Sequence, residues 1–187
     1  MKVKDILELA IIFLDKEELL DFSPFGETAV VPELEGKEIG YLKRCFNLVY
    51  NEVATGYLPI LTTEEVKFEN KILSYDSLSK SLFEIKKLEN DGKNIKYSLL
   101  DSGIYAKTDK ATITYSYVPT EMDFSDEVFL FGGKLPARVL AYGVAMEYSL
   151  ILGLHDDAEL WESRYKNGLK LACSKKSEIR LPSRRWN

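Results

Sequence analysis

The spacing of apolar residues changes twice along this chain, and the change restricts the fold more than any single residue does. Between Val3 and Leu20, the residues Ile6, Leu7, Ala10, Phe13 and Leu14 recur three and four apart, which predicts a helix with a charged outer face. Pro24 and Gly26 end it. After a loop holding Pro32 and Gly36, a second stripe of Ile39, Leu42, Phe46, Val49 and Val53, widened by Tyr50, predicts a helix from about Lys37 to Gly56. From Leu61 to Val118 the spacing falls to two. The runs V-K-F-E, F-E-I-K-K-L, I-K-Y-S-L-L, G-I-Y-A-K and T-I-T-Y-S-Y-V alternate apolar and polar residues. Turn residues separate them at Asn70, Asn90 to Lys93, Asp101 to Gly103 and Thr108 to Lys110, so this stretch reads as short antiparallel strands. Residues 74–83 fit neither period, and Asp76 to Ser81 is compatible with a helical turn.

Pro119 closes the last strand, and E-M-D-F-S-D-E follows as an acidic loop. A third helix begins near Pro136, a residue suited to a first turn. Val139, Leu140, Tyr142, Val144, Met146, Tyr148, Leu150, Ile151 and Leu152 cover nearly every side of it, as in a central helix. Gly143 in its interior costs about 1 kcal/mol of helix propensity relative to Ala, so another element is expected to approach closely there. Gly153 suits a C-cap, and Asp156 with Glu159 predicts a capping box for a fourth helix that buries Trp161, Tyr165, Leu169 and Ala172. The order predicts one α+β domain over residues 1–187: a four-helix bundle with a small antiparallel β insertion between helices 2 and 3. Its parts are a helical half (1–58), the β insertion (61–118), a second helical half (135–174) and a C-terminal arm (175–187).

Charge separates the arm from the rest. The net charge is −5, yet from Arg164 onward eight basic residues face a single acid, Glu178, so the preceding part carries roughly −12. An acidic body argues against a general nucleic-acid binder, which needs a basic face. Cys45 and Cys173 fall in predicted helices with neither metal-ligand nor disulfide spacing, and read as reduced core thiols of a cytoplasmic protein. The opening M-K-V-K-D-I-L-E-L mixes charge with its apolar residues, unlike a signal peptide, and the longest apolar run is far short of a membrane span. A soluble protein with no membrane contact is expected.

Candidate chemistry is sparse. His155, the only histidine, precedes the fourth helix with no partner of matching type nearby in sequence, and reads as a turn residue. Asp123, Asp126 and Glu127 lack the spacing and the distal glutamate of a calcium loop, and F-G-G-K-L-P (131–136) lacks the pattern of a phosphate loop. Glu147, alone in the most apolar helix, calls for an ion pair with Arg138 or an arginine of the arm. No catalytic, cofactor-binding or metal-ligating residue is therefore assigned. The arm is the interaction signal: Lys175, Lys176, Arg180, Arg184 and Arg185 supply charge, Ile179 and Leu181 an apolar edge, and Trp186 a ring of the kind enriched at interface hot spots. The alternative is a solvated chain terminus.

Y-S-Y-V-P (115–119) followed by acidic D-E, L-A-Y-G-V-A-M-E-Y (140–148), A-E-L-W-E-S-R-Y (158–165) and the closing R-R-W together resemble phage head–tail connector, or adaptor, proteins of the tail-tubular-protein-A and gp6-like group. The resemblance covers about Ile113 to Trp186; residues 61–98 do not align with it. It implies a structural protein of the virion neck, made in the cytoplasm of a bacterial host. Copies would form a ring under the portal protein, with the arm gripping the portal and the β insertion facing the tail or a second neck protein. DNA would pass through without specific binding, past an acidic body that repels it. Two other readings stay open: a nucleic-acid-binding module using the basic tail, and a small enzyme using Glu147 or the acids at 123–127.

Overall fold

A computed structural model describes residues 1–174, and in it four helices flank seven strands. The helices are α1 (Val3–Phe13), α2 (Glu33–Glu52), α3 (Ala137–Ile151) and α4 (His155–Cys173). The strands, all between α2 and α3, are β1 (Leu61–Lys67), β2 (Ile72–Leu73), β3 (Leu82–Asn90), β4 (Lys93–Asn94), β5 (Tyr97–Leu100), β6 (Gly103–Ala106) and β7 (Lys110–Tyr117). They form two antiparallel sheets, ordered β1-β7-β3-β4 and β2-β6-β5.

This overturns the expectation of a four-helix bundle with a small β insertion. The strands make a sizeable layer with a core of its own, in which Val66, Leu73, Ile85, Leu88, Ile104, Ile113 and Tyr115 are buried against one another. The central strand β7 pairs with β1 (Glu64 opposite Ile113) and with β3 (Ile85 opposite Tyr115), so its inward residues touch neighbours on both sides. The Tyr115 hydroxyl donates to the Glu64 carboxylate at 2.5 Å and accepts from the Lys80 amide at 3.2 Å, which pins the segment before β3 across the sheet. Alternation in sequence identifies the buried face of each strand but not what covers it. Here a second sheet covers it, and the strands do not need the helices to bury their apolar side.

The helical layer is organised around α3. It packs against α1, α2 and α4, and Leu140, Ala141, Gly143, Val144, Ala145 and Tyr148 are sealed from solvent. A Cβ placed on Gly143 would lie 2.6 Å from Val49 Cγ1 of α2 and 3.0 Å from the Tyr165 ring of α4. The propensity cost of this glycine is thus offset by two helices approaching the α3 backbone at one level.

Helix ends depart from the sequence reading at two places. α1 stops at Phe13 rather than running to Leu20. Asp15 takes φ 56°, its amide donates to Ile12 O at 3.3 Å, and the Lys16 amide donates to Ile11 O at 3.1 Å. This is a Schellman closure with aspartate in the position glycine usually holds, and a short 3-10 turn, Glu17–Asp21, follows. The capping box at Asp156 does not form. α4 starts at His155 with Leu154 as its cap, and Asp156 and Asp157 sit inside the first turn, where their charge favours the helix dipole.

The loop between β7 and α3 ties the layers together. Asn47 of α2 exchanges two hydrogen bonds with Met122, accepting from its amide at 2.8 Å and donating to its carbonyl at 3.0 Å. The Val3 and Lys4 amides donate to Asp126 O and Phe124 O, and the Val128 amide donates to Met1 O. The free N–H groups of the first α1 turn thus find acceptors in a loop more than a hundred residues away in sequence.

Replacing Gly143 by Ala tests the packing at α3. The helix gains about 1 kcal/mol of propensity, but overpacking against Val49 and Tyr165 costs about 1–3 kcal/mol, so the expected result is a lower denaturant midpoint. A variant at least as stable as the parent would mean that both neighbours can withdraw freely.

Candidate interaction surface

The polar groups singled out in the sequence do not converge. Asp123 pairs with Lys43 at 3.2 Å, and its Oδ1 accepts from the Phe124 amide at 2.8 Å. These contacts, the backbone one first, hold its carboxyl below the usual carboxylate range. Asp126 Oδ2 accepts from the Asp123 amide at 2.7 Å, and Glu127 and Lys2 form an isolated antiparallel backbone β-bridge. The acidic loop thus uses the Asp123 and Asp126 carboxylates to fold itself and to hold α2, and its backbone to hold α1. Among the described residues no three His, Cys, Asp or Glu side chains gather as metal ligands would. His155 is exposed at the start of α4. The expected partner-binding residues Lys175, Lys176, Ile179, Arg180, Leu181, Arg184, Arg185 and Trp186 lie outside the described residues.

Glu147 has no ion pair with Arg138 or with any other described cation, which corrects the expectation for Arg138, while the arginines of the arm lie outside the described residues. The helix repeat turns it toward α2, where the nearest charge is another acid, Glu52. Burial, and then repulsion from Glu52, raise its pKa. Glu52 in turn accepts from the Tyr165 hydroxyl at 3.0 Å. Close by, Cys45 is fully buried, and its thiol is pushed up to about 12 by burial first and by Glu147 second. Burial likewise pushes the Tyr165 phenol up, with Glu52 adding to the shift. The Cys45 thiol and the Tyr165 phenol are thus held protonated at the junction of three helices, beside the Glu147 and Glu52 carboxyls. A thiol protonated at neutral pH is not a nucleophile.

The notable exposed groups are apolar, and periodicity did not reveal them. Leu150, Ile151 and Leu152, which the all-round stripe placed in the core, are each nearly half exposed, and Leu154 joins them across the turn between α3 and α4. Helical spacing could not separate them from the buried residues before them, because the same stripe runs on to the end of α3 and into its turn to α4. In the β layer, β5 is the edge of the smaller sheet and is exposed along its whole length, with Leu99 at 62% and Tyr97 and Leu100 also open to solvent. An exposed, apolar edge strand is a template for another chain.

A third feature lies between the layers. A groove of about 480 Å³ is walled by Leu58, Pro59, Ile60 and Leu61 on one side and Phe129, Phe131, Gly132 and Lys134 on the other. It continues through the shared residues Leu58, Gly132 and Lys134 into a second stretch of about 660 Å³ bounded by Tyr57, Leu171, Ala172, Cys173 and Ser174. The π-helical turn Val53–Tyr57 at the end of α2 builds one wall, and the 3-10 turn Phe131–Gly133 builds the other. Cys173 Sγ, 3.8 Å from Tyr57 O, fastens the end of α4 beside it.

No family model matches the chain, and no curated protein matches it. No helix among the described residues is long and apolar enough to cross a membrane.

Glu147 allows a test of the buried carboxyl. Its folded-state pKa is raised, so the native state holds the extra proton, and stability falls as pH rises from the unfolded-state pKa through the folded one. Glu147→Gln removes that loss. The variant is expected to melt higher than the parent at pH 7, with the difference closing at or below pH ~4, where both carboxyls are neutral. A difference that grows on acidification would reverse the assignment.

Proposed function

We propose that this chain is a non-enzymatic structural protein, a head–tail connector of a phage or prophage. Copies of it form a ring beneath the portal protein and join the portal to the tail or to a second neck protein, while DNA passes through without specific contact. The observation that carries this reading is the placement of exposed apolar residues in both layers. Leu150, Ile151, Leu152 and Leu154 project from the helical layer, and Tyr97, Leu99 and Leu100 line an open edge of the β layer. A small chain that leaves such groups uncovered in two layers has surface for at least two neighbours. A ring subunit between a portal and a tail needs neighbours at its sides and its ends.

The charge pattern supports the same reading. The body is acidic, which keeps a DNA-lined channel free of sticking, and the positive charge is concentrated in the arm, which suits an acidic groove on a partner. The lack of convergence among Glu147, Asp123, Asp126 and His155 weighs against an active site built from them.

Deleting Lys175 to Asn187 is expected to leave the circular dichroism spectrum unchanged and to abolish binding to purified portal, observed by electron microscopy of the mixture. Portal binding undiminished by the deletion would overturn the role given to the arm.

A further inference from the structure

We infer that the groove between Leu58–Leu61 and Phe129–Lys134 is a docking site for the chain's own segment Lys175–Asn187. The inference needs no portal and stands apart from the connector reading.

The first observation is where the described chain ends. Ser174 is itself a wall of the groove, next to Leu171, Ala172 and Cys173, so residue 175 starts at the groove mouth. The second is that none of the described residues covers the groove. Leu171 is 76% exposed, and Leu61, Phe129 and Tyr57 are about half exposed, so one continuous depression carries four large apolar side chains in contact with water. The third is that its floor is shaped for a close neighbour. Gly132 and Gly133 both take positive φ, and a Cβ on either would meet nothing within 4 Å, so the backbone there faces open space.

The segment after Ser174 has the matching chemistry and reach. It carries Ile179, Leu181 and Trp186, and Ile179 and Leu181, two apart, fall on one side of an extended chain. Each residue can span up to about 3.3–3.6 Å, so the segment is long enough to follow the groove from its mouth to the start of β1. At the far end of the groove two exposed apolar side chains, Phe129 and Leu61, stand beside the free edge of β1. Tethering makes modest contacts sufficient, since a short linker presents the segment to its own groove at an effective concentration in the millimolar range. The one cation on the groove wall, Lys134, gives the basic residues no partner, so the recognition is apolar and the arginines stay in solvent.

Trp186 is the reporter. In full-length Trp161→Phe it is the sole tryptophan. Its emission is expected to be blue-shifted and its quenching by acrylamide several-fold slower than in a free peptide of residues 175–187. Both values should hold on dilution and in high salt. Adding Leu61→Asp and Phe129→Ser, both at exposed positions, should return the emission and quenching to the peptide values while the circular dichroism spectrum stays the same. Free-peptide behaviour in the full chain would overturn the inference. So would protection that survives the two groove substitutions, or protection lost on dilution, which would place the segment on another copy.

Discussion

The level of α3 at Gly143 sets the geometry of the helical layer. Two helices approach one backbone there, with Val49 of α2 and Tyr165 of α4 occupying the space a side chain would fill. Once that approach is fixed, the other contacts follow along the helices. Val139 of α3 meets Gly168 of α4, and the Tyr165 hydroxyl reaches Glu52 of α2. On the third side, Phe13 of α1 stacks with Tyr142 at 5.0 Å and with Trp161 at 5.5 Å, while Arg164 lies over the Trp161 ring. Core packing at this density leaves little slack, so one missing Cβ fixes the spacing of three helices.

The β layer is built on a different principle. It has its own core, centred on Tyr115 and Ile113 of β7, and joins the helices through the π-turn after α2 and the loop after β7. The groove is a result of this arrangement. Two layers that each close their own core meet along connecting turns, and the turns at Val53–Tyr57 and Phe131–Gly133 leave a channel where a shared core would have been filled. The features that bear on partners thus lie where the layers meet, at the end of α3 or along an open sheet edge.

Much of the fold was legible in the sequence. The strands β1, β3, β5, β6 and β7 overlap the five alternating runs, because that signal is local, whereas the two-residue strands β2 and β4 are too short to alternate and β4 begins in the turn at Asn90 to Lys93. The size and independence of the β layer were not legible. Alternation does not say which sheet covers which face, and the pairing of β1 with β7 spans about fifty residues. The end of α1 was hidden because aspartate, not glycine, takes the left-handed position at residue 15. The surroundings of Glu147 were not legible because a lone acid in an apolar helix suggests a cation such as Arg138, whereas among the described residues the fold presents it with Glu52. The apolar surfaces were invisible for a related reason: Leu150 and Leu140 look alike in a stripe, and only the packing of other elements around α3 separates the exposed one from the buried one.

The bonds between the first turn of α1 and the loop at Phe124–Val128 have a consequence for how the chain is made. The Val3 and Lys4 amides have their acceptors in residues synthesised more than a hundred positions later, and the apolar face of α1 has its partner in α3, later still. During translation, the first helix therefore emerges with both its amides and its apolar stripe unmatched, while the β layer after it can close on itself. Contacts so distant in sequence form late, and a nascent chain in that interval is the species most exposed to chaperones and to misassociation. The helix that precedes the β layer is thus among the last elements to reach its final place.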